Sequence, residues 1–155
     1  MKIHNYKITT QWTGNKGYGT ADYRSYSRNH LISCEGKAPI EGSSDPAFMG
    51  DPLRYNPEEM FVSSLSACHM LWYLHLCSSN GITVTEYTDE AQGIMTEEES
   101  GSGRFTKVVL HPVVTIAELD KQELALRLHT AANEKCFIAN SCNFKVVHEP
   151  TIKTA

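Results

Sequence analysis

The sequence predicts a single-domain protein of the α+β class. Its 155 residues, of which 41% are hydrophobic, suffice for one ordinary core and are too few for two. One long apolar helical segment follows residue 56, and short segments of alternating polarity lie on both sides of it. The order of strands, long helix, hairpin, helix and strand favours antiparallel strands packed on a central helix over a doubly wound parallel sheet. We therefore expect one domain over residues 1–155.

The first segments along the chain are expected to be antiparallel strands. Polar and apolar residues alternate at residues 3–12, 18–23 and 30–34, which is the pattern of half-buried strands. Residues 35–55 are rich in proline, glycine, serine and aspartate. This composition predicts a long ordered loop before the central helix.

The central helix has signals at both ends. Asn56 can cap it, Pro57 suits its first position, and Glu59 lies where a capping box needs a carboxylate. Asn80-Gly81 is a typical stop, so the helix would span roughly 23 residues and about 34 Å. Side chains at spacings of three and four form one stripe: Phe61, Leu65, Cys68, Leu71, Trp72 and His75. Because the other faces are apolar too, we expect a helix buried nearly all round, in a core or a subunit interface.

A hairpin is expected after the central helix. Residues 82–87 alternate as a strand does. Residues 93–95 and 105–116 then predict two paired strands, and the acidic residues 97–99 between them are expected in a solvated turn.

A second helix and a last strand complete the predicted elements. Asp120 followed by Glu123 repeats the capping-box pattern, and an apolar stripe continues to Asn133. Residues 144–147 are expected to form the final strand.

Charge and cysteine content exclude several classes of function. Fourteen basic and eighteen acidic side chains give a formal net charge of −4, so we expect no nucleic-acid partner. The longest apolar stretch, residues 71–77, is far short of the roughly 20 residues that span a bilayer, and residues 1–6 lack a signal-peptide apolar region. We therefore predict a cytoplasmic protein with no membrane partner. The five cysteines should stay mostly reduced, without a structural disulfide framework.

Two of the cysteines allow a chemical as well as a structural interpretation. Cys68 lies on the apolar helical stripe, where it is either an inert buried thiol or a reactive one that needs a cationic partner from elsewhere. Cys136 follows the second helix. A short helix beginning there would stabilise a thiolate, and the alternative is a packed cysteine at a helix junction.

A metal site is not expected, although Cys68, His69, His75 and Cys77 look like a ligand cluster in the sequence. On a helix, Cys68 and His75 are seven residues or about 10 Å apart along the axis, whereas zinc ligands lie within about 2.0–2.3 Å of one ion. His69 and His75 are therefore predicted to be packed or surface side chains.

Two motifs resemble one known family. Asn56-Pro57-Glu58-Glu59-Met60-Phe61, followed by Ser66-Ala67-Cys68-His69-Met70-Leu71, is similar to the central helix of the OsmC/Ohr family of thiol peroxidases. The block Cys136-Phe137-Ile138-Ala139-Asn140-Ser141 resembles the downstream cysteine segment of the OsmC-like branch. Two departures are that His69-Met70-Leu71 follows the first cysteine, and that Phe137-Ile138 follows the second where a Cys-Pro pair is common.

The resemblance implies an intertwined α+β homodimer with active sites at the subunit interface. It implies an antioxidant enzyme of the oxidative stress response, which reduces organic hydroperoxides without metal or haem and is recycled by an external dithiol. Cys68 would be the peroxidatic residue and Cys136 the resolving one, joined as a disulfide during turnover. Cys142 could substitute as the resolving thiol.

The family also uses a glutamate and an arginine to activate the thiol. Glu58 matches the glutamate, and Arg28 is our first choice for the arginine, with Arg24 and Arg54 as alternatives. Glu58 and Cys68 are ten residues or about 15 Å apart on one helix, so the simplest site is completed by the partner subunit. The competing function is an OsmC-like binding or sensing protein that holds an apolar ligand in the same pocket and turns over slowly.

Overall fold

The computed structural model describes residues 1–155, which form two compact units, residues 1–60 and residues 61–155. The first unit is built on a small antiparallel sheet of β1 (Thr9–Trp12), β2 (His30–Ser33) and β3 (Ile40–Gly42). In the β1–β2 register, Thr9 lies opposite Ser33 and Trp12 opposite His30. The expectation of one domain stays a prediction.

The strand predicted at residues 18–23 is wrong, because turns occupy this segment. Gly17 and Gly19 adopt φ angles of +106° and +55°, in the left-handed region that strands do not use. The Asn15 side chain accepts hydrogen bonds from the N–H groups of both glycines, at 2.8 and 3.0 Å. An asparagine side chain that accepts hydrogen bonds from backbone N–H groups a few residues later in the chain favours a turn over a strand.

The predicted loop of residues 35–55 is more structured than expected, since it contains β3 and a single 3-10 turn, Pro46–Phe48. The Asp45 side chain caps that turn by accepting the Ala47 N–H at 2.7 Å. The buried Ser43 ties the loop together: its hydroxyl donates to Asn29 Oδ1 and accepts the Asp51 N–H, both at 3.0 Å.

The central helix α1 spans Pro57–Ser79, as predicted. Its capping box is reciprocal: the Glu59 N–H donates to Asn56 Oδ1 at 2.8 Å, and the Asn56 N–H donates to Glu59 Oε2 at 3.1 Å. Gly81, with φ of +65°, follows the end of the helix. The sequence signals therefore identified both ends.

The burial of α1 differs from the prediction. Its fully buried residues follow an i, i+4 row: Leu65, His69, Tyr73 and Cys77. Leu71, which the predicted stripe placed inside, is 62% exposed. The helix is long and apolar enough to cross a membrane, with mean hydropathy 1.2, but the core helix of a soluble protein has the same length and composition. One face of α1 is thus packed while another is open.

The second unit contains two three-stranded sheets and α2. The strands are β4 (Val84–Asp89), β5 (Gln92–Glu97), β6 (Gly103–Leu110), β7 (Pro112–Ile116), β8 (Val146–His148) and β9 (Thr151–Thr154). One sheet has the order β4-β7-β9 and the other β5-β6-β8. The β5–β6 hairpin confirms the prediction of paired strands around an exposed acidic turn.

The predicted strand at residues 105–116 is two strands, β6 and β7, separated by His111. The His111 N–H donates to the Asp89 carboxylate at 2.7 Å, so it does not join a strand ladder. Two further differences are parallel pairings: β8 lies beside β6, and the unpredicted β9 lies beside β7. The sheets are mixed and not purely antiparallel.

The second helix, α2 (Gln122–Lys135), is present, but its predicted capping box is wrong. A 3-10 turn, Leu119–Lys121, precedes the helix, and no side chain caps its first turn. α2 packs with α1 and β7 in the larger core, whose buried members are Tyr73, Cys77, Ile82, Val114, Ile116, Ala125, Leu128 and Ala132. A smaller core joins α1 to β6 and β8 through Leu65, Val108, Leu110 and Val146.

Candidate active site

Cys68 lies near the middle of α1, on its open side, and is partly buried. It lines a cavity of about 560 Å³. The other lining residues are Ser64, Ala67, Leu71, Trp72, His75, Phe137 and Ile138. A small molecule in this cavity can therefore reach the Cys68 side chain.

Cys136 directly follows α2 and is only 1% exposed. The Ala139 N–H donates to Cys136 Sγ at 3.4 Å, and the Asn140 N–H donates to the Cys136 carbonyl at 3.0 Å. The short helix expected to begin here is a single 3-10 turn, Ala139–Ser141. Cys136 is thus held at a junction, with the Ala139 N–H directed at its sulfur.

The two cysteine side chains meet although 67 positions separate them in the sequence. The Cys68 side chain lies close enough to that of Cys136 to shift its pKa. Burial, and after it the interaction with Cys68, raises the pKa of Cys136 to about 11, against an ordinary value of 9.0. Cys136 is therefore protonated at neutral pH.

The cavity wall beside Cys68 is aromatic. The Trp72 ring makes edge-to-face contacts with Phe137 and His75, with ring centroids 5.6 and 5.7 Å apart. Phe137 is 68% exposed, so apolar surface continues from the cavity to the outside of the chain. Such a surface favours ligands with an apolar body.

The family model described as OsmC-like protein matches residues 50–150, a segment that includes α1 and both cysteines. The chain belongs to the OsmC-like family. An OsmC-like protein of unknown function from Vibrio cholerae is 34% identical to it, with a TM-score of 0.85 over 96% of this chain and all of that one. This agreement confirms the predicted family and α+β fold.

Other solved OsmC-like structures share the fold at lower identity. An organic hydroperoxide resistance protein from Elizabethkingia anophelis is 21% identical, with a TM-score of 0.67 and full coverage of both chains. The organic hydroperoxide resistance protein OhrB of Bacillus subtilis is 22% identical, with a TM-score of 0.61 over 97% of this chain and 98% of that one. No curated protein matches the sequence.

The other predicted site residues of this OsmC-like chain lie in residues 1–60. Glu58 occupies the first turn of α1, next to the capping residue Glu59. Arg28 donates to the carbonyls of Tyr26 and Tyr23 at 2.8 and 2.7 Å. Its guanidinium also stacks on both tyrosine rings, 4.1 and 4.2 Å from their centroids. Arg28 therefore holds the 23–26 turn together.

The two alternative arginines have different surroundings. The backbone N–H of Arg24 donates to Asp22 Oδ1 at 2.8 Å, and Arg24 is exposed. Arg54 forms ion pairs with Glu41 at 3.4 Å and Asp51 at 3.6 Å. Its Nη1 atom is buried without a hydrogen-bond partner. Among the three candidates, Arg54 thus keeps a buried donor available.

Sequence reasoning did not find a cluster of three histidines beside α1. His69, on α1, is buried, as one of the two predicted alternatives allowed, and its Nε2 lies 3.0 Å from Nδ1 of the buried His129. Their rings are stacked, and His148 lies against both. These residues come from three separate elements, so no sequence spacing could have identified the cluster.

Burial keeps these histidines neutral. It is the main cause that lowers the pKa of His69 to about 4 and that of His129 to about 3. It also lowers the pKa of His148. His69 Nε2 and His129 Nδ1 face each other at hydrogen-bond distance, so these two nitrogens bind each other and are not free to bind an ion. The cluster is unsuited to holding a metal.

The remaining cysteines lie outside the cavity lining. Cys142 donates its thiol hydrogen to the Ile138 carbonyl at 3.2 Å and packs against the smaller core. Burial raises the pKa of Cys142 and of Cys77. Cys34 follows β2 in the first unit. Among the five thiols, only Cys68 lines the cavity.

Proposed function

We propose that the chain is a thiol-dependent peroxidase that reduces organic hydroperoxides to alcohols in oxidative stress defence. The observation that carries this proposal is the close approach of the Cys68 and Cys136 side chains beside an apolar cavity. The names of the Elizabethkingia anophelis and Bacillus subtilis structures support the same substrate class. We place the protein in the cytoplasm as a homodimer.

Burial assigns different roles to the two thiols. Cys68 lines the cavity, so a hydroperoxide can reach its sulfur, and Cys68 is the peroxidatic residue. Cys136 is 1% exposed and has a raised pKa, so it is protected from direct attack and is the resolving residue.

The reaction balances with two thiols and one hydroperoxide. The Cys68 thiolate attacks the terminal oxygen of the O–O bond; that bond breaks, and the alkoxide takes a proton to leave as an alcohol. Cys68 is then a sulfenic acid. The Cys136 sulfur displaces its hydroxyl group, which leaves as water with the Cys136 proton, and a disulfide forms. An external dithiol returns both thiols by exchange, without a bound cofactor.

Glu58 and an arginine complete the proposed site. A guanidinium beside the thiol favours its ionised form, and a carboxylate can orient that guanidinium. Because about 15 Å of helix separates Glu58 from Cys68, we assign Glu58 to the Cys68 site of the partner subunit. Arg28 is our first choice for the guanidinium, although it already binds two carbonyls. Arg24 and Arg54 are the alternatives, and Arg54 has a buried donor without a partner.

Thiol titration tests this function. Reduced protein under anaerobic conditions, treated with one equivalent of cumene hydroperoxide, should lose two of its five titratable thiols. Cys68→Ser should lose none by this route, whereas the matched control Cys34→Ser should still lose two. Peptide mapping of the oxidised protein should recover Cys68 joined to Cys136; a Cys68–Cys142 peptide would reassign the resolving residue.

A binding or sensing function remains the second candidate, because the open aromatic cavity suits an apolar ligand whether or not chemistry follows. The same titration separates the two. If the wild-type protein keeps all five thiols while an apolar ligand quenches its tryptophan fluorescence, the peroxidase proposal is rejected in favour of binding.

A further inference from the structure

Trp72 connects the cavity to a charged group. The Lys135 ammonium lies over the Trp72 ring, with its Nζ 5.7 Å from the ring centroid. This distance is typical of a cation–π contact. Trp72 itself lines the cavity next to Cys68. The contact therefore places a positive charge against the cavity wall.

The cavity wall carries no carboxylate. No aspartate or glutamate lines the cavity, and its only titratable lining residue besides Cys68 is His75. Lys135 is exposed and takes part in no ion pair. Its position in the last turn of α2 complements the helix dipole, but that interaction does not require contact with Trp72. The ammonium is thus available to an external anion.

We propose that Lys135 is a specificity-determining residue, which binds the anionic group of a hydroperoxide whose apolar body fills the cavity. This inference rests on the proposed peroxidase function and adds the feature that the substrate carries a carboxylate. The apolar walls alone would accept charged and uncharged hydroperoxides with equally apolar bodies. Lys135 gives the charged ones an additional attraction at the cavity edge.

The attraction should be modest and sensitive to salt. An exposed lysine and a carboxylate interact weakly in water, and salt screens the interaction. We therefore expect a change of about two- to fivefold in KM between a charged and an uncharged substrate. Because Lys135 is exposed and outside the cavity lining, its loss should leave kcat unchanged.

The test compares linoleic acid hydroperoxide with its methyl ester, below their aggregation concentrations. These two substrates share the apolar body and the reacting group and differ only in charge. Wild type should have the lower KM for the acid, and the difference should shrink as ionic strength rises. Lys135→Gln should raise KM for the acid alone, Lys135→Arg should retain the preference, and Lys107→Gln, at an exposed lysine on β6, should behave as wild type.

Direct binding gives a second readout without turnover. Linoleate, which lacks the hydroperoxide group, should quench tryptophan fluorescence of wild type at lower concentration than methyl linoleate, and Lys135→Gln should remove that difference. Equal KM values for acid and ester in wild type, or an equal effect of Lys135→Gln on both, would overturn the role of Lys135 alone. Failure to consume any hydroperoxide would instead reject the proposed function and this role with it.

Discussion

Two faces of α1, one residue apart, have opposite surroundings. Cys68 lies on the open face, beside an aromatic cavity and a second thiol. His69 lies on the closed face, stacked against His129 with no access to water. The Cys68 thiol is thus placed where a ligand can enter, and the imidazole of His69, which burial keeps neutral, is placed inside. The two faces therefore differ in access and not in the chemical capacity of their side chains, since both carry groups capable of chemistry.

The largest expected effect is loss of turnover at the open face of α1, and it comes from removing the Cys136 thiol. Cys136→Ser leaves Cys68 able to attack a hydroperoxide but unable to form the disulfide, so dithiol-driven turnover should fall by about a hundredfold or more. A sulfenic-acid trap such as dimedone should then label Cys68 stoichiometrically, as shown by mass spectrometry. Undiminished turnover would exclude Cys136 as the resolving residue, and Cys77→Ser, at a buried thiol, is the matched control.

The two faces should also differ in stability. Leu65 is fully buried, so Leu65→Ala should lower the free energy of unfolding by about 2–5 kcal/mol through lost burial and a residual cavity. Leu71 is 62% exposed, so Leu71→Ala should cost less than about 1 kcal/mol. Urea unfolding of both variants measures this contrast. A cost for Leu71→Ala close to that for Leu65→Ala would show that the open face is covered in the assembled protein.

Local signals predicted the helix but not which of its faces is open. The capping box at Asn56 and the stop at Gly81 are determined by adjacent residues, and both were correct. The predicted stripe counted Leu71 as buried because spacing and hydrophobicity do not say what packs against a helix. The glycine turns that replace the strand at residues 18–23 were overlooked because alternation was given more weight than positive φ preferences.

The site could be predicted only in part for a similar reason. The two cysteines were found through motifs, whereas their meeting depends on how α2 ends against α1. Lys135 and the stacked histidines gave no signal, since their partners are distant in the sequence. Arg28 fits the motif-based expectation by its position alone, and its contacts with Tyr23 and Tyr26 are equally those of a structural residue.

Acid should lower the stability of the folded protein through the buried histidines at the closed face of α1. The pKa values of His69 and His129, about 4 and about 3 when folded, lie below the ordinary 6.5. Below pH 6.5 the unfolded chain therefore binds protons that the folded chain does not. The contribution of each neutral histidine to the free energy of unfolding is fully present above pH 6.5. It is lost as pH falls toward 4, at up to about 1.4 kcal/mol per pH unit for each histidine.

Urea unfolding between pH 7 and pH 4.5 measures this loss. His129→Phe keeps an aromatic ring in the stack and removes one titrating group, so its stability should fall less steeply with acid. His4→Gln, at an exposed position, should follow wild type. A wild-type stability that stays constant from pH 7 to pH 5 would contradict the neutral, buried histidines.

The smallest expected effect separates two neighbouring glutamates at the start of α1. Glu59 caps the helix, so Glu59→Gln should retain much of the capping bond, and Glu59→Ala should cost about 1 kcal/mol of stability without slowing thiol oxidation. Glu58 does not cap, so Glu58→Gln should leave stability and helicity unchanged while slowing Cys68 oxidation by about tenfold, through loss of the carboxylate that orients the arginine. Stopped-flow oxidation with cumene hydroperoxide, alongside circular dichroism, measures both. If Cys68 is oxidised as fast in Glu58→Gln as in wild type, the activating carboxylate lies elsewhere, and oxidation at the open face of α1 does not depend on the first turn of the helix.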